Sequence, residues 1–194
     1  MTIHVTWEWL GMGPALDLAN TVTLSDGTEE DLLAPPGEYE RWAEAEVLAL
    51  GWTREQYELL LDGRDPVLRT RAAVRDVVGA IAEGRSLPKG GVESLNRVSR
   101  AAPEWSELES KSSVLHTYSL GNPLDALLAG YARDVLRLAA DEVTLRRCPA
   151  PSCGMFYPPR RPQQRWCSIQ CGTRARVARH YRRHADGRRS SRAP

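Results

Sequence analysis

The chain has 194 residues, of which 42% are hydrophobic, enough for one medium domain with a buried core and a small additional module. It contains no apolar run near the ~18 residues of a membrane span, and its start lacks the charge and apolar pattern of a secretory signal. We therefore expect a cytoplasmic protein with no membrane partner. In that reducing compartment, clustered cysteines are more often metal ligands than disulfides.

Charge is distributed unequally along the chain. Residues 1–145 contain 13 Lys+Arg and 24 Asp+Glu, a balance of −11, whereas residues 146–194 contain 13 Arg and one acid, a balance of +12. These balances add up to the formal net charge of +1. An acidic body followed by an arginine-rich end is typical of proteins that bind a polyanion.

Residues 1–145 show mainly helical patterns, so we predict a helix-rich domain with a small antiparallel β element, an α+β fold. A short helix is predicted around residues 14–24, and the segment that follows has the composition of a loop. Further helices are predicted at residues 37–51, 53–61, 65–83 and 122–138, and a shorter one near residues 92–100. Thr53 with Gln56 forms a capping-box pattern, while Asp65 and Asn122 each precede a proline as predicted N-caps.

One segment of this domain has a strand pattern instead. WSELES from Trp105 and SVLHTYSL from Ser113 alternate in side-chain character, which predicts a hairpin with its turn at Lys111 and Ser112. His116 is expected to be structural, and Trp42, Trp52 and Trp105 are expected to lie in the core. No nucleophile–base pairing, phosphate-binding glycine loop or HExxH motif is present, so we expect no enzymatic activity.

All four cysteines lie near the end of the chain, as Cys148-x4-Cys153 and Cys167-x3-Cys171 with thirteen residues between the pairs. Two close pairs separated by a short loop are what a tetrahedral Zn²⁺ site requires. Since closed four-cysteine sites are structural, we expect one structural Zn²⁺. The alternative that the spacing leaves open is a mixed site of Cys167, Cys171, His180 and His184.

The spacings around the cysteines predict a knuckle, then a hairpin that starts at residues 155–157 and returns at Arg165 and Trp166. A helix that Ser168 caps and that ends near His184 is predicted to follow. This order is the treble-clef arrangement, and we place the zinc finger at residues 146–184 and a disordered basic tail at residues 185–194. The apolar residues expected to pack inside the finger are Met155, Phe156, Tyr157, Trp166, Ile169, Val177, Ala178 and Tyr181.

The arginines of this region have almost no acidic residues to balance them, and such a surface repels itself unless a polyanion binds. We therefore expect nucleic-acid binding, with DNA as the first partner and RNA as an alternative. Docking of the finger on an acidic protein surface, including its own domain or a dimer mate, is a further alternative. The arginines expected to contact nucleic acid are Arg165, Arg174, Arg176, Arg179, Arg182 and Arg183.

Two sequence motifs resemble a known family. RWCS at residues 165–168 with CGTR at residues 171–174 resembles the CGNR zinc-finger motif, and LDLANT at residues 16–21 resembles the start of the ABATE domain. The resemblance implies a stress-induced transcriptional regulator, with a helix-rich domain, a small β element and a DNA-binding treble-clef finger. Thr173 stands where the motif has asparagine, and Pro158-Pro159 replace an acidic loop position.

Asp17, Asn20 and Thr21 of the LDLANT segment have two interpretations. They either cap helices and form hydrogen bonds in the core, or they line a pocket for a small-molecule effector of the N-terminal domain. Helix capping and core hydrogen bonding are the expected roles, since polar residues beside buried apolar ones need hydrogen-bond partners.

Overall fold

The computed structural model describes residues 11–25, 27–108 and 115–190. The helices in these residues are α1 (Pro14–Ala19), α2 (Glu38–Leu50), α3 (Arg54–Asp62), α4 (Arg64–Ala82), α5 (Lys89–Ala101), α6 (Pro123–Ala140) and α7 (Ile169–Ser190). The strands are β1 (Val22–Ser25), β2 (Thr28–Asp31), β3 (Glu104–Leu108), β4 (Leu115–Ser119), β5 (Arg146–Arg147) and β6 (Phe156–Tyr157). This confirms the predicted helix-rich fold with small antiparallel sheets. No helix in the described ranges is long and apolar enough to cross a membrane.

The strands form three antiparallel pairs, β1–β2, β3–β4 and β5–β6. The predicted β3–β4 hairpin is confirmed, with Trp105 opposite Tyr118, although its predicted turn lies outside the described residues. The β1–β2 pair lies in a segment predicted as helix and loop, and that prediction was wrong. Strand β2 is acidic and mostly exposed, so it lacks the apolar alternation that identifies a strand in a sequence.

Helix starts were predicted well where a side chain caps them. Thr53 forms the capping box with Gln56, and the Asn122 side chain accepts a hydrogen bond from the Asp125 amide at 2.8 Å. Asp65 is not an N-cap, however, because α4 begins one residue earlier at Arg64, directly after Gly63. At the other end of the chain, α7 continues past the predicted end near His184 to Ser190. The predicted domain limits and disordered tail stay predictions.

Helix α1 lies at the centre of the core and packs against α4 and α6. Trp42 is buried in this core as predicted, and Trp52 is half-buried with its ring edge-on to Tyr131. Trp105 is 44% exposed, which contradicts its predicted place in the core. Its position on the exposed β3 strand explains the difference, because there it stacks on Tyr118 with ring centroids 5.5 Å apart.

One carboxyl group is enclosed by this apolar core. Glu46 is 0% exposed, and its Oε1 accepts a hydrogen bond from the Tyr131 hydroxyl at 3.3 Å. Its other oxygen has no hydrogen-bond partner among the described residues. Burial, with a smaller contribution from nearby Asp17, raises the pKa of Glu46 well above its usual value. Burial also raises the pKa of Asp17 to about 6. The folded core therefore favours the protonated form of Glu46.

The Glu46→Gln variant should become more stable relative to the wild type as the pH rises. The raised pKa means that the folded protein keeps a proton that the unfolded chain loses near pH ~4.3. The contribution of Glu46 to stability is therefore complete below that pH and decreases as the pH rises toward the folded pKa. The glutamine side chain has no proton to lose, so the difference in unfolding free energy should change by up to about 1.4 kcal/mol per pH unit. Denaturant unfolding of both proteins from mildly acidic to mildly alkaline pH measures this change. A difference independent of pH would contradict the assignment.

Candidate metal centre

Three structural elements bring the four cysteines together. Cys148 directly follows β5, Cys153 lies in the connection to β6, and Cys167 and Cys171 flank the start of α7. The Ser168 side chain accepts a hydrogen bond from the Cys171 amide at 3.1 Å, which confirms its predicted role as a helix cap. The last cysteine is held by the first turn of α7, as predicted. The predicted hairpin was wrong, because β6 pairs with β5, which precedes Cys148, and not with a return arm at Arg165 and Trp166.

The four Sγ atoms lie within 4.8 Å of one another. Those of Cys153, Cys167 and Cys171 are separated from each other by 3.5–3.6 Å. Four sulfurs bound tetrahedrally to Zn²⁺ at about 2.3 Å would lie about 3.8 Å apart, so the cluster fits one zinc ion with little rearrangement. His180 is exposed on α7, and the metal-binding group among the described residues consists of cysteines.

Hydrogen bonding among the cysteine side chains shifts their pKa values in opposite directions. The pKa of Cys148 is lowered because the Cys153 and Cys167 thiols donate hydrogen bonds to its sulfur. The pKa values of Cys153 and Cys167 are raised, first because each thiol donates to Cys148. Four thiolates held this close together would repel one another unless a cation lay among them. A bound Zn²⁺ would be that cation and join the knuckle to α7.

The interior of the finger differs from the one predicted. Tyr157 and Ala175 are buried against the cysteines, with Met155 and Trp166 partly buried beside them. Phe156 instead points into the core of the N-terminal domain. The small residues Cys171, Gly172 and Ala175 form the inner face of α7, which brings the helix close to the cluster.

Three residues predicted to pack inside the finger are exposed, which corrects that prediction. Ile169 is 87% exposed, Val177 49% and Tyr181 70%, all on α7. The face of the helix that is buried in the finger is formed by the smaller residues Cys171 and Ala175. The buried face of a helix is identified in a sequence by the periodicity of its apolar residues. Helix α7 is rich in arginine and has little such periodicity, so its buried face could not be predicted.

The finger is joined to the N-terminal domain by buried hydrogen bonds. The Asn20 side chain donates to the Phe156 carbonyl at 3.0 Å and accepts from the Phe156 amide at 2.7 Å. The Leu24 amide on β1 donates to the Cys153 carbonyl at 2.8 Å. Gly154, at φ +72°, allows this approach, because an added Cβ would lie 2.6 Å from Leu24. The two halves are therefore packed as one unit at this junction.

The other polar residues of the LDLANT segment have structural partners as well. The Asp17 carboxylate accepts hydrogen bonds from the backbone amides of Gly11 and Met12. The Thr21 hydroxyl donates to the Leu18 carbonyl at 2.8 Å and accepts from Arg71 at 3.0 Å. These contacts support the interpretation of core hydrogen bonding over that of an effector pocket for this segment.

Alanine at Asn20 should destabilise the protein by about 2–4 kcal/mol, because it leaves the buried amide and carbonyl of Phe156 without partners. Denaturant unfolding of the zinc-loaded protein measures the loss. Asn96→Ala, at a half-buried position on α5, provides a control that is expected to lie within about 0.5 kcal/mol of the wild type. Equal stability of the two variants would contradict the role of Asn20 at the junction.

The six arginines predicted to contact nucleic acid have different surroundings. The Arg165 guanidinium lies 5.7 Å from the Trp166 ring centroid, and Arg174 donates a hydrogen bond to the Cys171 sulfur. All six residues are exposed, and the remaining four lie on α7: Arg176, Arg179, Arg182 and Arg183. Arg176, Arg179 and Arg183 follow the i, i+3, i+7 spacing and share one side of the helix, here called the arginine face.

Two arginines before the first cysteine were missed as structural residues. Arg146 donates to the carbonyls of Gln164 and Pro162, at 2.5 and 3.0 Å, and so holds the loop between the cysteine pairs. Arg147 lies 3.4 Å from Glu29 of the N-terminal domain. It borders a cleft of about 340 Å³ between the two halves, with Phe156 in its lining. Their partners are distant in sequence, so no local pattern could have identified these contacts.

Comparison with known families agrees with both resemblances. The ABATE family, described as "Putative stress-induced transcription regulator", matches residues 13–142, and the CGNR zinc finger matches residues 144–184. A search of curated proteins finds no match. The first match contains helices α1 to α6 as described above, and the second contains the four cysteines and the Cys171–Arg174 motif.

Proposed function

This chain belongs to the ABATE family and carries a CGNR zinc finger, and from this premise we propose that it is a DNA-binding transcription regulator. In this proposal it acts in the cytoplasm by binding rather than by catalysis. Its treble-clef finger is structural, and its metal orders the helix that meets the DNA.

The arginine face of α7 is the observation that carries the proposal. Arg176, Arg179 and Arg183 are exposed on one side of a 22-residue helix, and the first turn of that helix is fixed by Cys171. A helix of this length extends over about 33 Å, and the major groove of B-DNA is wide enough to admit an α-helix. Guanidinium groups form paired hydrogen bonds with phosphate oxygens and guanine edges. The arginine face can therefore bind the backbone of a duplex while the helix lies in or along its groove.

The division of charge supports the same partner. The balance of −11 in residues 1–145 would repel a polyanion, while the +12 of residues 146–194 would attract it. This polarity would orient the protein with its finger toward the DNA and its N-terminal domain away from it. In that orientation the N-terminal domain is available to respond to a signal or to associate with a second copy.

RNA is the second candidate partner, and the shape of the major groove distinguishes an RNA duplex from a DNA duplex. The major groove of A-form RNA is too deep and narrow for side chains to read, so a helix that docks in a groove should prefer duplex DNA. Binding of the zinc-loaded protein to DNA and RNA duplexes of identical sequence and length, at one salt concentration, tests the choice. Tighter binding to DNA is the expected result. Tighter binding to the RNA would favour an RNA-binding protein, and no binding to either would favour a protein-interaction finger.

A further inference from the structure

Arg174 differs from the other arginines of α7 in what it contacts. It follows Cys171 by three residues, so the two side chains lie on the same side of the helix. Its Nη2 donates a hydrogen bond to the Cys171 Sγ at 3.0 Å. The hydrogen bonds that backbone groups donate to the cluster sulfurs come from neutral amides. Cys148 accepts from the amides of Cys167, at 3.4 Å, and Ala150, and Cys153 accepts from the amide of Met155.

A positively charged hydrogen-bond donor can stabilise a four-cysteine zinc site. Four thiolates carry more negative charge than one Zn²⁺ neutralises, and the excess makes the sulfurs good targets for protons and oxidants. A charged donor close to a sulfur offsets part of this charge and forms a stronger hydrogen bond than a neutral donor does. Residues that orient metal ligands in this way typically contribute about 10- to 100-fold to metal affinity.

We propose that Arg174 is a positioning residue of the metal centre, which holds the Cys171 sulfur in place and slows the loss of zinc. The contact is short and lies within one rigid helical turn, whereas Arg176 donates to the Thr173 hydroxyl, away from the cluster. Arg174 therefore belongs with the cysteines, separate from the arginine face formed by Arg176, Arg179 and Arg183. This assignment depends on the zinc site alone and holds whatever partner the finger binds.

The test compares Arg174→Met, which keeps an unbranched apolar stem without the charged guanidinium group, with Arg174→Lys, which keeps the charge. Arg176→Met is the matched control, at an exposed position of the same helix. Zinc affinity is measured by competition with a chromogenic chelator, and the rate of zinc release is measured after addition of hydrogen peroxide. These readouts follow the metal and the thiols directly and need no nucleic acid.

Arg174→Met should lower zinc affinity about 10- to 100-fold and release zinc faster under peroxide. Arg174→Lys should lie between this variant and the wild type, and Arg176→Met should match the wild type. Wild-type affinity and release rate in Arg174→Met would overturn the proposal. So would an equal loss in all three variants, since that would indicate a general weakening of α7. If Arg174→Met does not fold, an intermediate affinity for Arg174→Lys supports the assignment, and a wild-type affinity overturns it.

Discussion

Replacing Cys171 with serine should reduce bound zinc from one ion per chain to nearly none and unfold the finger. The cluster joins the knuckle, the strand pair and the start of α7, and few apolar side chains would hold these parts together without the metal. In small finger peptides, structural zinc supplies about 10–16 kcal/mol of apparent folding free energy. The loss should therefore be large compared with that of an ordinary substitution.

The effect should extend into the N-terminal domain. Phe156 belongs to the core of that domain, and Asn20 is bonded to its backbone, so an unfolded finger removes packing from the body as well. Metal analysis and thermal denaturation measure the two effects. Ser168→Ala is the control, because it removes the cap on the Cys171 amide and should cost only about 1 kcal/mol while keeping the zinc. One zinc per chain in Cys171→Ser would contradict the four-cysteine site.

The second large effect concerns the arginine face. Replacing Arg176, Arg179 and Arg183 together with alanine should weaken binding to duplex DNA roughly 100-fold, at about 1 kcal/mol per lost contact. If each arginine neutralises one phosphate, the slope of log K against log salt should become shallower by about 2.7. Zinc content should not change, because within the described residues none of these three arginine side chains is hydrogen-bonded to a cysteine.

A matched control separates docking from overall charge. The triple replacement of Arg69, Arg97 and Arg100 with alanine removes the same charge from positions on α4 and α5, outside the finger. This control should keep the wild-type salt slope and most of the affinity. Equal losses in the two triple variants would show that net charge governs binding and that α7 does not dock on the DNA.

The sequence was sufficient for features with a local physical signal. The capping box at Thr53 and the N-cap at Asn122 lie where local hydrogen bonding predicts them, and the strand alternation around Trp105 gave the correct hairpin. The cysteine pairs predicted the metal cluster because ligand spacing reflects the geometry of the metal. In each case the interacting residues are close in sequence or share one ion.

Features that depend on distant contacts were not predictable. The β1–β2 pair has no apolar alternation, and the pairing of Asn20 with Phe156 joins residues 136 positions apart. Glu46 is buried in α2, and no pattern in the sequence distinguishes it from the other glutamates of that helix. The roles of Arg146 and Arg174 could not be predicted, because no sequence pattern separates these arginines from the others in the basic region. Only their contacts in the structure distinguish them.

The most direct measurement of the central claim is the affinity of the intact protein for duplex DNA across a salt series, before and after zinc is removed with a chelator. With zinc, log K should fall linearly between about 50 and 200 mM salt, with a slope near −4.5 if about five arginines contact phosphates. After chelation the binding should weaken strongly and return when zinc is restored, because the metal fixes the start of α7. Binding that is absent with zinc, or equally strong without it, would contradict a zinc-ordered DNA-binding helix.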